Sequence, residues 1–204
     1  MSRETLPHDI EPVIGCERLE LHHLAADDMV ALFEDPGHAD VWPSAMYTNP
    51  HGVLTHGDSP LAWRVPQVRR DPSVNKWFVR WMVLRSTREI VGSLSFHGPP
   101  DGRGMLEIGL GVHESFRRRG YAREALIGMW RWASGEPGVR VLRYTVDPDN
   151  VPSVALIRGL GFTRVGQQID EIDGPEDVYE LEVDRFLELH GDHAMERVTG
   201  IEPA

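Results

Sequence analysis

The stretch LEIGLGVHESFRRRGYAREALIGMWRWA, residues 106 to 133, contains the features that decide the fold. It begins with Leu106 to Val112, an apolar run with two glycines that predicts a buried strand. A basic turn, Arg117-Arg118-Arg119-Gly120-Tyr121-Ala122, follows directly. After it, small and apolar residues recur at steps of four, three and four, as on one face of a helix: Ala122, Leu126, Met129 and Ala133. The stretch therefore predicts a strand, a turn and a helix in that order.

The junction between the turn and the helix is a predicted anion-binding site. The first turn of a helix has backbone N–H groups without partners, and the helix dipole adds partial positive charge there. Gly120 would let the backbone approach a ligand closely, while Ala122 keeps the next position small. The three arginines before them add further N–H groups, and guanidinium groups that pair with phosphates. These residues predict a cradle for a pyrophosphate.

Two motifs resemble those of the GNAT acetyltransferase superfamily. Arg117-x-x-Gly120-x-Ala122, separated from Val112 by four residues, is similar to its acyl-CoA signature, R/Q-x-x-G-x-G/A. A second motif follows at a similar separation: Asn150-x-x-Ser153, Leu156 and Gly161-Phe162. The resemblance covers roughly residues 78 to 183. Glu107-Ile108-Gly109 is also similar to the RimJ/RimL-like branch, which acetylates the N-termini of ribosomal proteins.

The resemblance implies a mixed α/β fold with a mostly antiparallel sheet, a splayed parallel strand pair and flanking helices. It implies that acetyl-CoA, or another short acyl-CoA, is a co-substrate whose acyl group passes directly to a primary amine. Pantetheine would pair with the backbone of Leu110 and Val112, although the glycines of this strand could instead reflect tight sheet packing. The other implied cofactor-binding residues are Arg117, Arg118, Arg119, Gly120, Tyr121, Ala122, Asn150 and Ser153.

Glu107 is the candidate general base. It precedes Gly109 by two residues, so both point to the same face of the sheet. Amine attack on a thioester requires a neutral amine, and a carboxylate here could take the ammonium proton directly or through water. The alternative role for Glu107 is an ion pair across the sheet.

Ser153 is the candidate that protonates the departing thiolate. Many members of the resembled superfamily carry a tyrosine seven residues after the motif asparagine, but this chain has Ile157 there. The resemblance to the ribosomal-protein branch implies that Ser153 takes this role. The alternatives are local: Asn150 fits a helix N-cap, and a serine in the first helical turn often bonds nearby backbone.

Composition sets the broad class of the protein. A chain of 204 residues with 41% hydrophobic and 26% charged residues fits one soluble domain. Cys16 is the only cysteine, which fits a reducing compartment. No signal-peptide pattern or membrane-length apolar run is seen, so a cytoplasmic location without a membrane partner is expected. Ten histidines lack the spacing of a closed metal site, and no metal is expected.

Charge is distributed unevenly along the chain. Residues 169 to 204 hold 12 acidic residues and two arginines, a net charge of −10, out of −11 for the whole chain. The nearly neutral remainder argues against a nucleic-acid partner, which needs a basic surface. Acidic residues near the site would favour a cationic acceptor, but they also fit a solvated surface.

Two rival functions stay open: a non-catalytic acyl-CoA sensor and a ribosome-associated binding module. The sequence leaves the oligomeric state open and is compatible with a homodimer.

Hydrophobic periodicity and turn residues predict the remaining elements of a single domain spanning residues 1–204. Residues 1–15 are expected to form a loose N-terminus and residues 190–204 a flexible tail. Six prolines make residues 36–76 loop-rich, and Trp42, Tyr47 and Trp63 could form an acceptor-site wall or local core. The expected strands are 18–24, 77–85, 89–97, 140–146, 162–170 and 177–184; the other expected helices begin at residue 26 and span 151–158.

Overall fold

A computed structural model describes residues 11–36, 47–55, 60–170 and 174–191. Within these ranges eight strands form one sheet in the order β1-β2-β3-β4-β5-β6-β8-β7. All neighbouring strands are antiparallel except β5 and β6, which are parallel. The strands are β1 Ile14–Gly15, β2 Leu19–His23, β3 Arg80–Leu84, β4 Ile90–Phe96, β5 Met105–Val112, β6 Val141–Val146, β7 Thr163–Asp170 and β8 Gly174–Glu182. The mostly antiparallel mixed sheet predicted from the resemblance is confirmed.

Five α-helices flank the sheet in the described ranges. They are α1 Ala26–Glu34, α2 Leu61–Arg70, α3 Tyr121–Ser134, α4 Val151–Gly159 and α5 Val183–His190. The central helix α3 packs its apolar face onto the sheet, with Leu126, Met129 and Ala133 fully buried. Because α3 connects β5 to β6, the chain returns to the same end of the sheet, and the two strands must run parallel. The predicted strand, turn and helix of residues 106–133 are therefore present.

The segment 36–76 contains more helix than expected. Its described part includes α2 and a 3₁₀ helix, Pro72–Trp77; short helices between the prolines were compatible with the sequence, but α2 continues through Pro66. Pro66 lies inside α2 and removes one backbone hydrogen bond. The helix persists because Leu61, Val65 and Val68 are buried in the core.

The three aromatic residues suggested as an acceptor-site wall have different surroundings. Tyr47 is buried against His22, with the ring centroids 4.9 Å apart, and belongs to the core. Trp63 lies on α2 and is exposed. Trp42 lies outside the described residues.

The C-terminal end of the domain carries a helix that periodicity did not predict. Helix α5 follows β8 directly and buries Phe186 against Trp130 of α3. Of the expected tail, residues 192–204 lie outside the described part, as do residues 1–10 of the expected loose N-terminus. In the described ranges no helix is both long enough and apolar enough to cross a membrane.

Candidate active site

Strands β5 and β6 separate halfway along their length. Their parallel register covers Met105 to Glu107 of β5, with Glu107 opposite Arg143 as the last pair. On its other side β5 stays paired with β4 as far as Val112. The Glu107 carbonyl accepts from His97 N at 2.8 Å, so odd-numbered residues of β5 direct their backbone to β4. Leu110 and Val112 therefore direct their N–H and C=O groups toward the gap.

The glycines of β5 leave the neighbourhood of this gap open. A Cβ added to Gly111 would meet no atom within 4 Å, so tight sheet packing does not account for that glycine. A Cβ added to Gly109 would lie 3.2 Å from Nε2 of His97, which indicates that the imidazole lies over this part of the strand. The Arg117 side chain reaches back along the strand, and its Nε donates to the Val112 carbonyl at 3.0 Å.

The turn before α3, for which the sequence predicts a pyrophosphate cradle, has two residues with left-handed backbone. Gly120 caps the helix with φ +83° and Arg118 has φ +58°, so the backbone is left-handed at both residues. Tyr121 is the first helical residue, and the N–H groups of the first turn face the loop. The four residues of the turn are exposed: Arg117, Arg118, Arg119 and Gly120. A helix N-terminus with nearby guanidinium groups fits a diphosphate.

Arg18, a residue that sequence reasoning missed, holds this turn from the first part of the chain. Its Nη1 donates to the Arg119 carbonyl at 2.9 Å, and its Nε donates to Glu124 Oε2 at 2.8 Å. Its guanidinium carbon lies 4.7 Å from the centre of the Tyr121 ring. A Cβ added to Gly120 would lie 3.2 Å from Arg18 Nη2, so the positive charge is next to the cradle. No local motif could reveal a contact between residues a hundred positions apart.

Glu107 lies at the point where the strands separate. Its Oε1 accepts from Thr145 Oγ1 at 2.7 Å and lies 3.5 Å from Nδ1 of His97. Arg143, directly opposite on β6, donates instead to Glu180 on β8 at 2.9 Å. The arginine that a cross-sheet ion pair would require is thus engaged elsewhere, and the neighbours of Glu107 are a hydroxyl and an imidazole.

Helix α2 completes this side of the site through a buried arginine. Arg64 donates from Nε to Ser95 Oγ at 3.3 Å and from Nη1 to the His97 carbonyl at 3.2 Å. Burial lowers the pKa of Arg64 to about 10, while the nearby Glu107 carboxylate acts in the opposite direction. Burial also lowers the pKa of His97, against the opposing effect of Glu107. Both His97 and Arg64 thus belong to the surroundings of the candidate base.

Ser153 lies on the other face of β6, at the start of α4. Its Oγ is 2.8 Å from the phenolic oxygen of Tyr144, and its N–H donates to Asn150 Oδ1 at 3.3 Å. Asn150 is therefore an N-cap, as its position predicted. Burial raises the pKa of Tyr144. Ile157, which occupies the motif position where a tyrosine is common, is fully buried.

The two candidate catalytic residues therefore lie on opposite faces of the sheet. Thr145, which contacts Glu107, and Tyr144, which contacts Ser153, are consecutive in β6 and point to opposite faces. A group held in the gap between β5 and β6 would be accessible from both faces. Glu107 on one face suits an approaching amine, and the Tyr144–Ser153 hydroxyl pair on the other suits a leaving thiolate.

Within the ranges that the structure describes, the remaining candidate groups do not assemble into a further reactive site. Burial raises the pKa of the Cys16 thiol to about 12, so it is a poor nucleophile. His22 contacts Glu20 at 2.9 Å, and His23 contacts the Asn75 carbonyl at 3.0 Å, so each ring has its own partner. Across the described residues, no three of the histidine, cysteine, aspartate and glutamate side chains come together as metal ligands.

Comparison with known proteins identifies a family for this architecture. Residues 18–163 match the Acetyltransferase (GNAT) domain. The uncharacterized N-acetyltransferase YjdG of Bacillus subtilis (strain 168) is 36% identical over 88 residues, which are 43% of this chain and 52% of that protein. The match thus spans about half the length of this relative.

Solved structures share the fold at low sequence identity. The ribosomal-protein-S5-alanine acetyltransferase from Vibrio fischeri superposes with a TM-score of 0.60 and 15% identity, covering 86% of this chain and 99% of that one. RimL, a ribosomal L7/L12 α-N-protein acetyltransferase solved in complex with coenzyme A, superposes with a TM-score of 0.58 and 17% identity. The superposition covers 85% of this chain and 99% of that one. The domain match covers most of the chain and includes the splayed strands, the basic turn and the helix that follows it. The protein belongs to the GNAT acetyltransferase family.

Proposed function

We propose that this protein transfers an acetyl group from acetyl-CoA to a primary amine, by direct attack of the amine on the thioester in a ternary complex. The observation that carries the proposal is the separation of β6 from β5 beyond Glu107, beside the exposed turn at the start of α3. A free strand edge next to an anion cradle suits a ligand that combines amide groups with a diphosphate. Coenzyme A has this chemistry.

The donor would be held mainly by backbone groups. In this proposal the amides of pantetheine pair with Leu110 and Val112, whose N–H and C=O groups face the gap. The diphosphate lies on the N-terminus of α3, where Gly120 permits close approach and Arg18 adds charge. Further contacts come from residues around the turn and the start of α4: Arg117, Arg118, Arg119, Tyr121, Ala122, Asn150 and Ser153.

Acid–base chemistry would take place on the two faces of the gap. Glu107 accepts the ammonium proton, directly or through a neighbouring group, so that the neutral amine can attack. Ser153, paired with Tyr144, returns a proton to the sulfur as the carbon–sulfur bond breaks. The Cys16 thiol, the one cysteine of the sequence, stays protonated because burial raises its pKa, which supports direct transfer over an acyl-enzyme on this cysteine.

The acceptor in this proposal is a cationic amine. Two acidic residues add negative potential near the gap: Asp170 acts on His97, and Glu176 acts on Tyr144. Such a potential attracts an ammonium group. Peptide N-termini are the first class to test, because two of the structural neighbours are named as ribosomal-protein acetyltransferases.

The setting we propose is one acetyltransferase domain in the cytoplasm. A single hydrophobic core connects residues from β1 to α5, which supports one folding unit. The free Cys16 thiol fits a reducing compartment.

A thiol-release assay tests the proposal. Acetyl-CoA is incubated with the full chain and a panel of amines: tripeptides with N-terminal alanine or serine, a lysine-containing peptide and spermidine. We expect release of free coenzyme A and acetylated product with at least one amine. Acetyl-CoA binding without turnover on any amine would indicate a sensor, and salt-dependent RNA affinity without acetyl-CoA binding would indicate a ribosome-associated module.

A further inference from the structure

We infer that the imidazole of His97 is the group that takes the acceptor proton, and that Glu107 is the positioning residue that orients it. The inference rests on the proposed function and specifies how the proton leaves the amine. It concerns a residue outside both sequence motifs, directly after the C-terminal end of β4. The geometry of β4, β5 and α2 carries it.

The backbone of His97 is fixed on both sides. Its N–H donates to the Glu107 carbonyl at 2.8 Å, which extends the β4–β5 pairing by one residue. Its carbonyl accepts from Arg64 Nη1 at 3.2 Å and from Gln67 Nε2 at 3.3 Å, both on α2. A histidine held in this way can present its ring in a defined position.

The ring is oriented by the Glu107 carboxylate. Nδ1 lies 3.5 Å from Oε1, and the same oxygen accepts from Thr145 Oγ1 at 2.7 Å. The Thr145 bond fixes the carboxylate on the side of β6, so it faces Nδ1 with a defined geometry. A carboxylate facing Nδ1 favours the tautomer with hydrogen on Nδ1. The lone pair is then on Nε2.

Nε2 points over the strand at the place where the gap begins. A side chain at Gly109 would crowd it, because an added Cβ would lie only 3.2 Å from Nε2. The next residue, Leu110, is the first whose two backbone groups face the gap beyond the end of the β5–β6 pairing. The missing side chain at Gly109 therefore leaves room for a base above the strand as well as for a ligand beside it. The His97 side chain keeps 45% of its surface exposed, so an acceptor can reach it.

Partial burial of the ring, rather than the sum of the charges around it, favours its neutral form. Burial lowers the His97 pKa; Glu107 on β5 raises it, Arg64 on α2 lowers it and Asp170 on β7 raises it, and the net direction is downward. A neutral imidazole at pH 7 has a free lone pair, which a protonated one lacks. Once the ring takes a proton, the adjacent Glu107 carboxylate stabilises the imidazolium.

The proton balance of the step is complete. The substrate ammonium gives one proton to Nε2, and the neutral amine nitrogen attacks the thioester carbonyl carbon. The carbon–nitrogen bond forms, the carbon–sulfur bond breaks, and the nitrogen loses a second proton. One proton ends on the sulfur, through the Tyr144–Ser153 hydroxyls or water, and the other passes from His97 to solvent.

The test compares His97→Gln with Glu107→Gln, using whichever amine of the panel releases coenzyme A fastest. Glutamine keeps a polar group at position 97 but cannot titrate, so kcat/KM should fall ~10²–10⁴-fold and lose its limb below pH ~6.5. Glu107→Gln should retain that limb, moved to lower pH because the neighbouring negative charge is gone. His190→Gln, on α5 and bonded to the Leu160 carbonyl, is the matched control and should behave as wild type.

Two further measurements keep the result decisive. ¹⁵N NMR of histidine-labelled protein should show hydrogen on Nδ1 of His97, and free imidazole should restore part of the activity of His97→Ala. Wild-type protein that acetylates no amine would contradict the proposed function itself. Normal turnover by His97→Gln, or loss of the acid limb in Glu107→Gln alone, would overturn the role of His97 while leaving the acetyltransferase function intact. If His97→Gln does not fold, the pH profile of Glu107→Gln and the NMR tautomer still decide.

Discussion

At the scale of single residues, the pair of hydroxyls on α4 and β6 changes the interpretation of the missing tyrosine. The motif position holds buried Ile157, but a phenol reaches the start of α4 from β6, with Tyr144 Oη 2.8 Å from Ser153 Oγ. A tyrosine hydroxyl is thus available near the start of α4 although the local sequence lacks it. The two hydroxyls form a chain along which a proton can pass.

The first prediction concerns this hydroxyl pair. Ser153→Ala and Tyr144→Phe should each lower kcat by about ten-fold or less, because water can also protonate a thiolate whose pKa is near ~8.5. The double variant should lose little more than either single variant, since both changes interrupt one chain. Steady-state kinetics with the best amine of the panel measures this, with acetyl-CoA affinity followed in parallel. Strictly multiplicative losses would contradict a shared proton path.

At the scale of elements, the start of α3 is the place where we propose that the donor binds. Gly120 lies at φ +83°, where a side chain is strained, and an added Cβ would also crowd Arg18 Nη2. The helix beyond it is held independently by its buried face, which includes Leu126 and Met129. Local damage to the turn should therefore separate ligand binding from folding.

The second prediction uses that separation. Acetyl-CoA at about one hundred times its Kd should stabilise wild-type protein by roughly 2.7 kcal/mol, seen as a rise in Tm. Gly120→Val should fold with a somewhat lower Tm but lose this rise. Gly102→Ala, in the β4–β5 turn with no atom within 4 Å of the added Cβ, is the control and should keep it. An undiminished rise in Gly120→Val would refute the cradle.

At the scale of the whole molecule, buried histidines link stability to pH. His23 is buried as a neutral ring: Nε2 contacts the Asn75 carbonyl at 3.0 Å, and Nδ1 accepts from Glu11 N at 3.3 Å. Burial lowers its pKa from 6.5 to about 4. Burial also lowers the pKa of His22, which acts in the same direction on folding.

The third prediction follows from the sign of that shift. Below pH 6.5 His23 is protonated in the unfolded chain, whereas in the folded protein it stays neutral down to about pH 4. The contribution of His23 to the free energy of unfolding is therefore completely present above pH 6.5. It is lost as the pH drops toward 4, which lowers the free energy of unfolding by about 3 kcal/mol from His23 alone. Denaturant unfolding of wild type and His23→Gln at pH 7.5 and 5 measures this. Equal losses in the two proteins would contradict the assignment.

Much of the fold could be predicted because local patterns specify it. Alternation and turn residues gave the β3–β4 hairpin, and strand–helix–strand order gave the parallel β5–β6 pair. The cap at Asn150 is also local, since its partner is three residues away. Helix α2 was missed because Pro66 disfavours helix locally, whereas burial of Leu61, Val65 and Val68 stabilises it only after the sheet has formed.

The sequence by itself determined the turn at the start of α3 that we propose as the cradle, because a glycine, a helix start and a run of arginines act through neighbouring backbone. It also determined that Glu107 precedes the glycines of β5. Only the tertiary structure decided which groups meet these residues: Arg18 at the turn, Tyr144 beside Ser153, and His97 beside Glu107. Arg18 and its partner Arg119 are 101 residues apart, and strand pairing sets the other contacts. Contacts of this kind produce no periodic pattern in the sequence, because their geometry depends on sheet order and side-chain packing.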